Sequence, residues 1–164
     1  MRYTDGPTVE ATVQVAAPPQ RVWELVSDIH LIASLSTEVQ EVGWLDGVEA
    51  AAPGATFRGR NLHSAVGEWT TTCYVVECVA PRVFAWAMED VVHPSASWRF
   101  ELTAAGGGTQ LRQWARIGPG PSLLSRAIEA RPDKEERIVA GWLRELQAGI
   151  DATLAALAEL AERR

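Results

Sequence analysis

The stretch from Val139 to Ala161 restricts the fold of this chain more than any other. Val139, Trp142, Leu143, Leu146, Ile150, Leu154, Leu157 and Ala161 recur in short helical steps, so on a helix they form one continuous apolar stripe. Arg144, Glu145, Gln147, Asp151 and Glu159 fall mostly off that stripe. Asp133 followed by Glu136 has the spacing of a capping box, so the helix is expected to begin there, after Pro132, and to run to about Glu162. Gly141 and Gly149 each cost about 1 kcal/mol of helix propensity relative to Ala. Either another surface approaches the backbone at these glycines or they are tolerated defects. A helix this long with one apolar face needs an extended partner surface.

The rest of the chain supplies strands for that surface. Val9, Ala11, Val13 and Val15 alternate with polar residues over Thr8–Val15, the pattern of a half-buried strand. Pro19 suits the first turn of a helix carrying Val22, Trp23, Val26 and Ile29, and a second short turn follows from Asp28 toward Ser34. Six further strands are predicted over residues 38–45, 55–62, 69–78, 83–89, 96–103 and 109–117. Turn residues separate most of them: Asp46-Gly47, Pro53-Gly54, Ala80-Pro81-Arg82 and Ala105-Gly106-Gly107-Gly108. Short connections imply antiparallel pairing. Gly118-Pro119-Gly120-Pro121 stops the sheet, and Ser122 caps a short helix to about Glu129. The expected class is α+β: a curved antiparallel sheet wrapped around a C-terminal helix, with two short helices after the first strand. One domain over residues 1–164 is expected, and a sheet bent around one helix tends to leave room between the two.

Composition narrows the partners. The net charge of -6 argues against a general nucleic-acid binder, which needs clustered Lys and Arg, and against adsorption to an anionic membrane. No apolar run approaches the roughly 20 residues of a membrane span, and the N-terminus lacks the apolar core of a signal peptide. The expected location is the cytoplasm. Cys73 and Cys78 lie about 17 Å apart on an extended strand, too far for a disulfide, and are read as reduced core thiols.

Several local features, in order along the chain, resemble one superfamily. They are Val15-Ala16-Ala17-Pro18-Pro19-Gln20-Arg21-Val22-Trp23, Gly54-Ala55-Thr56-Phe57-Arg58-Gly59-Arg60-Asn61, Glu68-Trp69, Ser97-Trp98-Arg99-Phe100-Glu101-Leu102, Gly107-Gly108-Thr109-Gln110-Leu111 and Gly118-Pro119-Gly120-Pro121-Ser122. With the order β-αα-β6-α, they resemble the START-like (SRPBCC, helix-grip) superfamily, and within it the polyketide cyclase/dehydrase-like proteins of actinobacterial type. The resemblance implies a deep cavity between helix and sheet, used by family members to bind or transform lipids, polyketides, sterols, quinones and other hydrophobic molecules. It carries no universal catalytic signature, so fold transfers better than function.

Side-chain parity supplies candidates for such a cavity. Phe57, Gly59, Asn61 and His63 share one strand face; Phe84, Trp86 and Met88 share another; so do Trp98, Phe100 and Leu102, and Leu111, Gln113, Ala115 and Ile117. The ligand-binding candidates are Phe57, Asn61, Trp69, Trp86, Trp98, Phe100, Gln113, Trp142 and Leu146. Asn61 and Gln113 are polar groups on an apolar wall; they orient a ligand, or they satisfy each other or a buried water. Trp23 and Trp142 read first as core between helices and sheet, whereas Trp69, Trp86 and Trp98 are the better cavity candidates. His30 and His63 are weak candidates for a general base. Glu38, Glu89 and Glu129 are possible rim acids without any selecting spacing. No histidine pair has helical metal spacing, so no metal and no cofactor is expected. Arg58, Arg60, Arg112 and Arg116 suit a basic patch on the outer sheet face, or ion pairs with Glu68, Glu77 and Glu101.

Three functions fit this reading. The first is binding of a small hydrophobic molecule of polyketide, lipid or aromatic type. The second is a cyclase or dehydratase in which His30 or His63 removes a proton and Asn61, Gln113 or an indole stabilises the enolate. The third is a protein-interaction module with an apolar outer face around Trp44 and Trp114. A homodimer is left open.

Overall fold

The computed structural model describes residues 1–64 and 66–163. In chain order its elements are β1 (Thr8–Val15), α1 (Pro19–Val26), α2 (Ile29–Ser34), β2 (Val39–Trp44), β3 (Thr56–His63), β4 (Gly67–Val79), β5 (Val83–Met88), β6 (Ala96–Ala105), β7 (Gly108–Ile117), α3 (Leu123–Ala130) and α4 (Glu135–Glu162). The strands form a curved antiparallel sheet in the order β1-β7-β6-β5-β4-β3-β2. The first two strands of the chain are therefore its two edges, and α1 and α2 bridge them. This is the α+β helix-grip arrangement expected from the sequence.

Local chemistry sets the helix starts. Pro19 opens α1 at its first turn. The Asp28 carboxylate caps α2, accepting from the N–H groups of His30 at 3.0 Å and Leu31 at 3.2 Å. Ser122 and Ser125 cap α3 reciprocally: the Ser125 N–H donates to Ser122 Oγ at 3.1 Å and the Ser122 N–H to Ser125 Oγ at 2.7 Å. The capping box expected at Asp133 does not form. Pro132–Lys134 make a 3₁₀ turn, Lys134 precedes α4 without a side-chain cap, and the Asp133 carboxylate pairs instead with Arg131 at 3.3 Å. Glu135 and Glu136 in the first turn still complement the helix dipole.

Two backbone features govern which strand residues face α4. Gly106 and Gly107 adopt φ of 58° and 78°, the left-handed pair that a two-residue type I′ hairpin between β6 and β7 requires. In β4 a bulge between Val75 and Glu77 shifts the register. Thr71, Cys73 and Val75 face the core before the bulge, and Cys78 packs against it afterwards, which strict alternation would have prevented. Both cysteines are free.

The core lies between the concave face of the sheet, α1 and α4. Phe84, Phe100, Leu111 and Leu157 are among its fully buried side chains. A smaller cluster of Ile117, Leu124, Ile128 and Val139 sits under α3. The convex face carries ion pairs: Arg112 bridges Glu10 and Glu101, Arg99 bridges Glu101 and Glu77, and Arg60 bridges Glu41 and Glu68. Among the described residues no helix is long and apolar enough to cross a membrane.

Candidate functional site

Along the sheet, the close backbone neighbours of α4 are β1 and β7. Its C-terminal turns bury Leu154, Leu157 and Ala161 there and beside α1. Its middle turns, from Trp142 to Thr153, instead face β3, β4 and β5 across a cavity of about 670 Å³. That volume falls within the about 300–1,000 Å³ of small-molecule sites. Small residues keep the space open. A Cβ at Gly149 would meet nothing within 4 Å, and one at Gly59 would come no closer than 3.8 Å to the Glu41 carbonyl. The helix glycines are thus not points of close approach by the sheet, because among the described residues a Cβ at Gly141 would meet only the Arg144 side chain within 4 Å, at 3.6 Å.

Aromatic rings make the floor. Trp86 is central: its ring centroid lies 5.3 Å from Phe84, 5.8 Å from Phe57, 6.1 Å from Phe100 and 6.3 Å from Trp98, the last nearly parallel at 12°. Trp44 packs edge-on against Phe57 at 5.4 Å. Offset and edge-on packing fixes these rings in place, so the floor is a pre-formed apolar surface. Ile32, Ala33, Leu35 and the α2–β2 connection of Ser36, Thr37 and Glu38 form a side wall. Trp142, Glu145, Leu146, Ala148, Gly149, Ile150, Ala152 and Thr153 form the roof.

Polar groups on the lining are few. The Asn61 amide donates to Thr71 Oγ1 at 3.0 Å and to the Trp69 carbonyl at 3.4 Å. Gln113 is buried, and its Oε1 finds no hydrogen-bond partner among the described residues. The two amides do not satisfy each other through any bond seen here. The Trp98 indole N–H donates to Met88 Sδ at 3.2 Å. Burial, with the Glu89 carboxylate as a lesser cause, pushes the Cys73 thiol up to about 12, so it stays protonated and is a poor nucleophile at neutral pH. Among the described residues, no group of three or more His, Cys, Asp or Glu side chains converges to hold a metal ion.

Of the residues singled out in the sequence, Phe57, Asn61, His63, Trp86, Trp98, Gln113, Trp142 and Leu146 line the cavity. Trp69, Phe100 and His30 do not. Trp69 stands opposite Asn61 on β3–β4 but is not part of the lining. Phe100 is wholly buried beneath the floor, against Trp86. The His30 side chain is 65% exposed and lies 3.9 Å from its own helix cap, Asp28. Glu38 reaches the lining, whereas Glu89 accepts from the Thr72 N–H at 3.3 Å and Glu129 is exposed. Sequence reasoning missed the side wall from Ile32 to Thr37. The signal was present in the apolar spacing of Ile29, Ile32 and Leu35, but not where α2 would lie.

A fold of this kind around an apolar, aromatic-floored cavity defines the class of START-like helix-grip proteins. The match to the polyketide cyclase / dehydrase and lipid transport family spans residues 6–162, and the chain belongs to that family. It is similar to the polyketide cyclase-like protein Cgl2372 of Corynebacterium glutamicum, with 26% identity, a TM-score of 0.70, and coverage of 94% of this chain and 91% of that one. It shares its fold with the Zhui aromatase/cyclase of Streptomyces, at 22% identity and a TM-score of 0.68 over 96% of this chain and 94% of that one. It also shares the fold of the di-domain ARO/CYC protein BexL, at 19% identity and a TM-score of 0.70, covering 96% of this chain and 50% of BexL. No curated protein matches the chain.

Proposed function

We propose that this chain binds a small hydrophobic molecule, of polyketide, lipid or aromatic type, between α4 and the concave face of the sheet. The observation that carries the reading is the cavity of about 670 Å³, floored by Phe57, Phe84, Trp86 and Trp98. Burying a guest there removes apolar surface from water on both sides, a gain of roughly 25 cal/mol per Å² before the costs of association. Tryptophan fluorescence titration and native mass spectrometry against a panel of polyketides, fatty acids and polycyclic aromatics test it. Saturable 1:1 binding of at least one class is expected. No binding across the panel, with the protein folded, would refute it.

The family membership and two further residues support a second reading, that of a cyclase or dehydratase. His63 and Asn61 lie two apart on β3 and both line the cavity. Proton abstraction next to a carbonyl needs a base and a donor in one dry site. His63 is the base in this cast, with Asn61, Gln113 or the Trp98 indole as donor; His30 is not among the residues that line the cavity. Turnover of an identified substrate should then fall at least about 100-fold in His63→Gln. Unchanged turnover would leave binding alone.

The interaction-module reading gains little, because the convex face carries ion pairs and Trp44 turns inward onto Phe57. Two free thiols suit a reducing compartment, so we place the protein in the cytoplasm, with a small molecule and no nucleic acid as its partner. Light scattering after gel filtration separates a monomer from a homodimer.

A further inference from the structure

We infer that the cavity selects a guest carrying a hydroxyl on an aromatic frame, a phenol or an enol, whose O–H donates to Gln113 Oε1. The inference rests on the binding reading above and narrows its ligand class. Gln113 is 4% exposed, and its Oε1 is shielded from solvent without a partner among the described residues. A buried acceptor left unpaired keeps the full penalty of its desolvation. Its neighbours across the sheet offer no donor side chain, since Gln113 stands opposite Ala11 on β1 and Phe100 on β6. Asn61, the other lining amide, is already engaged with Thr71.

A second polar group on the same wall is also poorly matched. Trp98 faces Ala115, two residues from Gln113 in register, so the two side chains are diagonal neighbours on the concave face. Both line the cavity. The partner of the Trp98 indole N–H is a thioether sulfur, a weak acceptor. The indole N–H is turned toward β5, so it is the unpaired Gln113 acceptor that calls for a guest group able to donate a hydrogen bond. A hydroxyl does this. A ketone, ester or ether only accepts, and a hydrocarbon does neither. A carboxylate only accepts and would bring charge into a lining that already holds Glu38 and Glu145.

The test compares 2-naphthol with 2-methoxynaphthalene, which share a ring system but differ in the ability to donate. Both are titrated into the wild-type protein and into Gln113→Met, which keeps the side-chain length and removes the amide. The wild type is expected to prefer 2-naphthol by about tenfold, and Gln113→Met to lose that preference. The Gln113 side-chain amide signals in the wild type should also shift with 2-naphthol and not with the ether, a readout that needs no variant. If both probes bind the wild type equally, or the preference survives in Gln113→Met, the hydroxyl inference is wrong and the binding reading stands. If neither these probes nor any member of the wider panel binds the folded wild type, the binding reading itself has failed.

Discussion

The two ends of α4 make opposite use of the same amphipathic stripe. From Leu154 to Ala161 the helix is packed dry: Leu154, Leu157 and Ala161 are each at most 5% exposed, in the cluster that holds Val15, Val22 and Val26. From Trp142 to Thr153 the stripe continues: Ile150 is buried and Gln147 reaches the Glu10 carbonyl of β1 at 3.1 Å, but the side turned toward β3, β4 and β5 borders the cavity. The stripe itself does not distinguish these ends. The difference lies in what stands opposite. Near the C-terminus, α1 and β1 fill the gap; further back, the packed aromatics of β3, β5 and β6 form a floor, and missing side chains at Gly59 and Gly149 leave the space above it open. An apolar periodicity therefore reports which face is turned inward, and the size of the opposing residues decides whether that face meets protein or a guest.

The largest effects should separate the two ends. Leu157→Ala removes a side chain with no exposed surface and is expected to cost about 2–5 kcal/mol in urea denaturation. Leu146→Ala borders space that is already empty and should cost about 1 kcal/mol while weakening ligand binding. Equal stability losses would erase the distinction. Next in size, Gly59→Leu places a side chain in the cavity; ligand binding should fall at least about tenfold while stability changes by no more than about 3 kcal/mol. Gly149→Ala should raise stability by up to about 1 kcal/mol, since its Cβ meets nothing within 4 Å. A destabilised Gly149→Ala would show that the glycine answers to a contact absent from this structure.

The smallest effect at neutral pH concerns Cys73. Its thiol is raised in the folded state, so the stabilising contribution of the neutral form is present below the unfolded value of about 8.5 and is lost as pH climbs from there toward about 12. At pH 8, alkylation of Cys73 should be slow in the folded protein and rapid in urea. Fast labelling of the folded protein would mean that the cavity floor opens to solvent.

Much of the fold was legible in the sequence because each part had its own period. Thr8–Val15 alternates at every second residue, and the α4 stripe repeats in threes and fours. Parity also grouped Phe57, Gly59, Asn61 and His63 on one face, where the structure finds them. Parity cannot say how far along a strand the helix crosses. Trp69 and Phe100 share register faces with lining residues, yet Trp69 does not line the cavity and Phe100 lies beneath its floor. Nor does alternation survive a bulge: the shift at Val75–Glu77 brings Cys78 toward the core along with Cys73. The orphaned acceptor on Gln113 depends on residues from three strands, and no local pattern in the chain signals it.

The tryptophans offer the most direct test, because they are distributed between the two kinds of environment. Trp86, Trp98 and Trp142 line the cavity, whereas Trp114 lies half-buried on the convex face beside Glu10 and Arg99. In a ¹H–¹⁵N spectrum titrated with 2-naphthol, the indole N–H signals of Trp86, Trp98 and Trp142 should move together and saturate, while that of Trp114 stays fixed. Saturable shifts at Trp114 with the other three unmoved would contradict a cavity under the middle of α4 as the binding site.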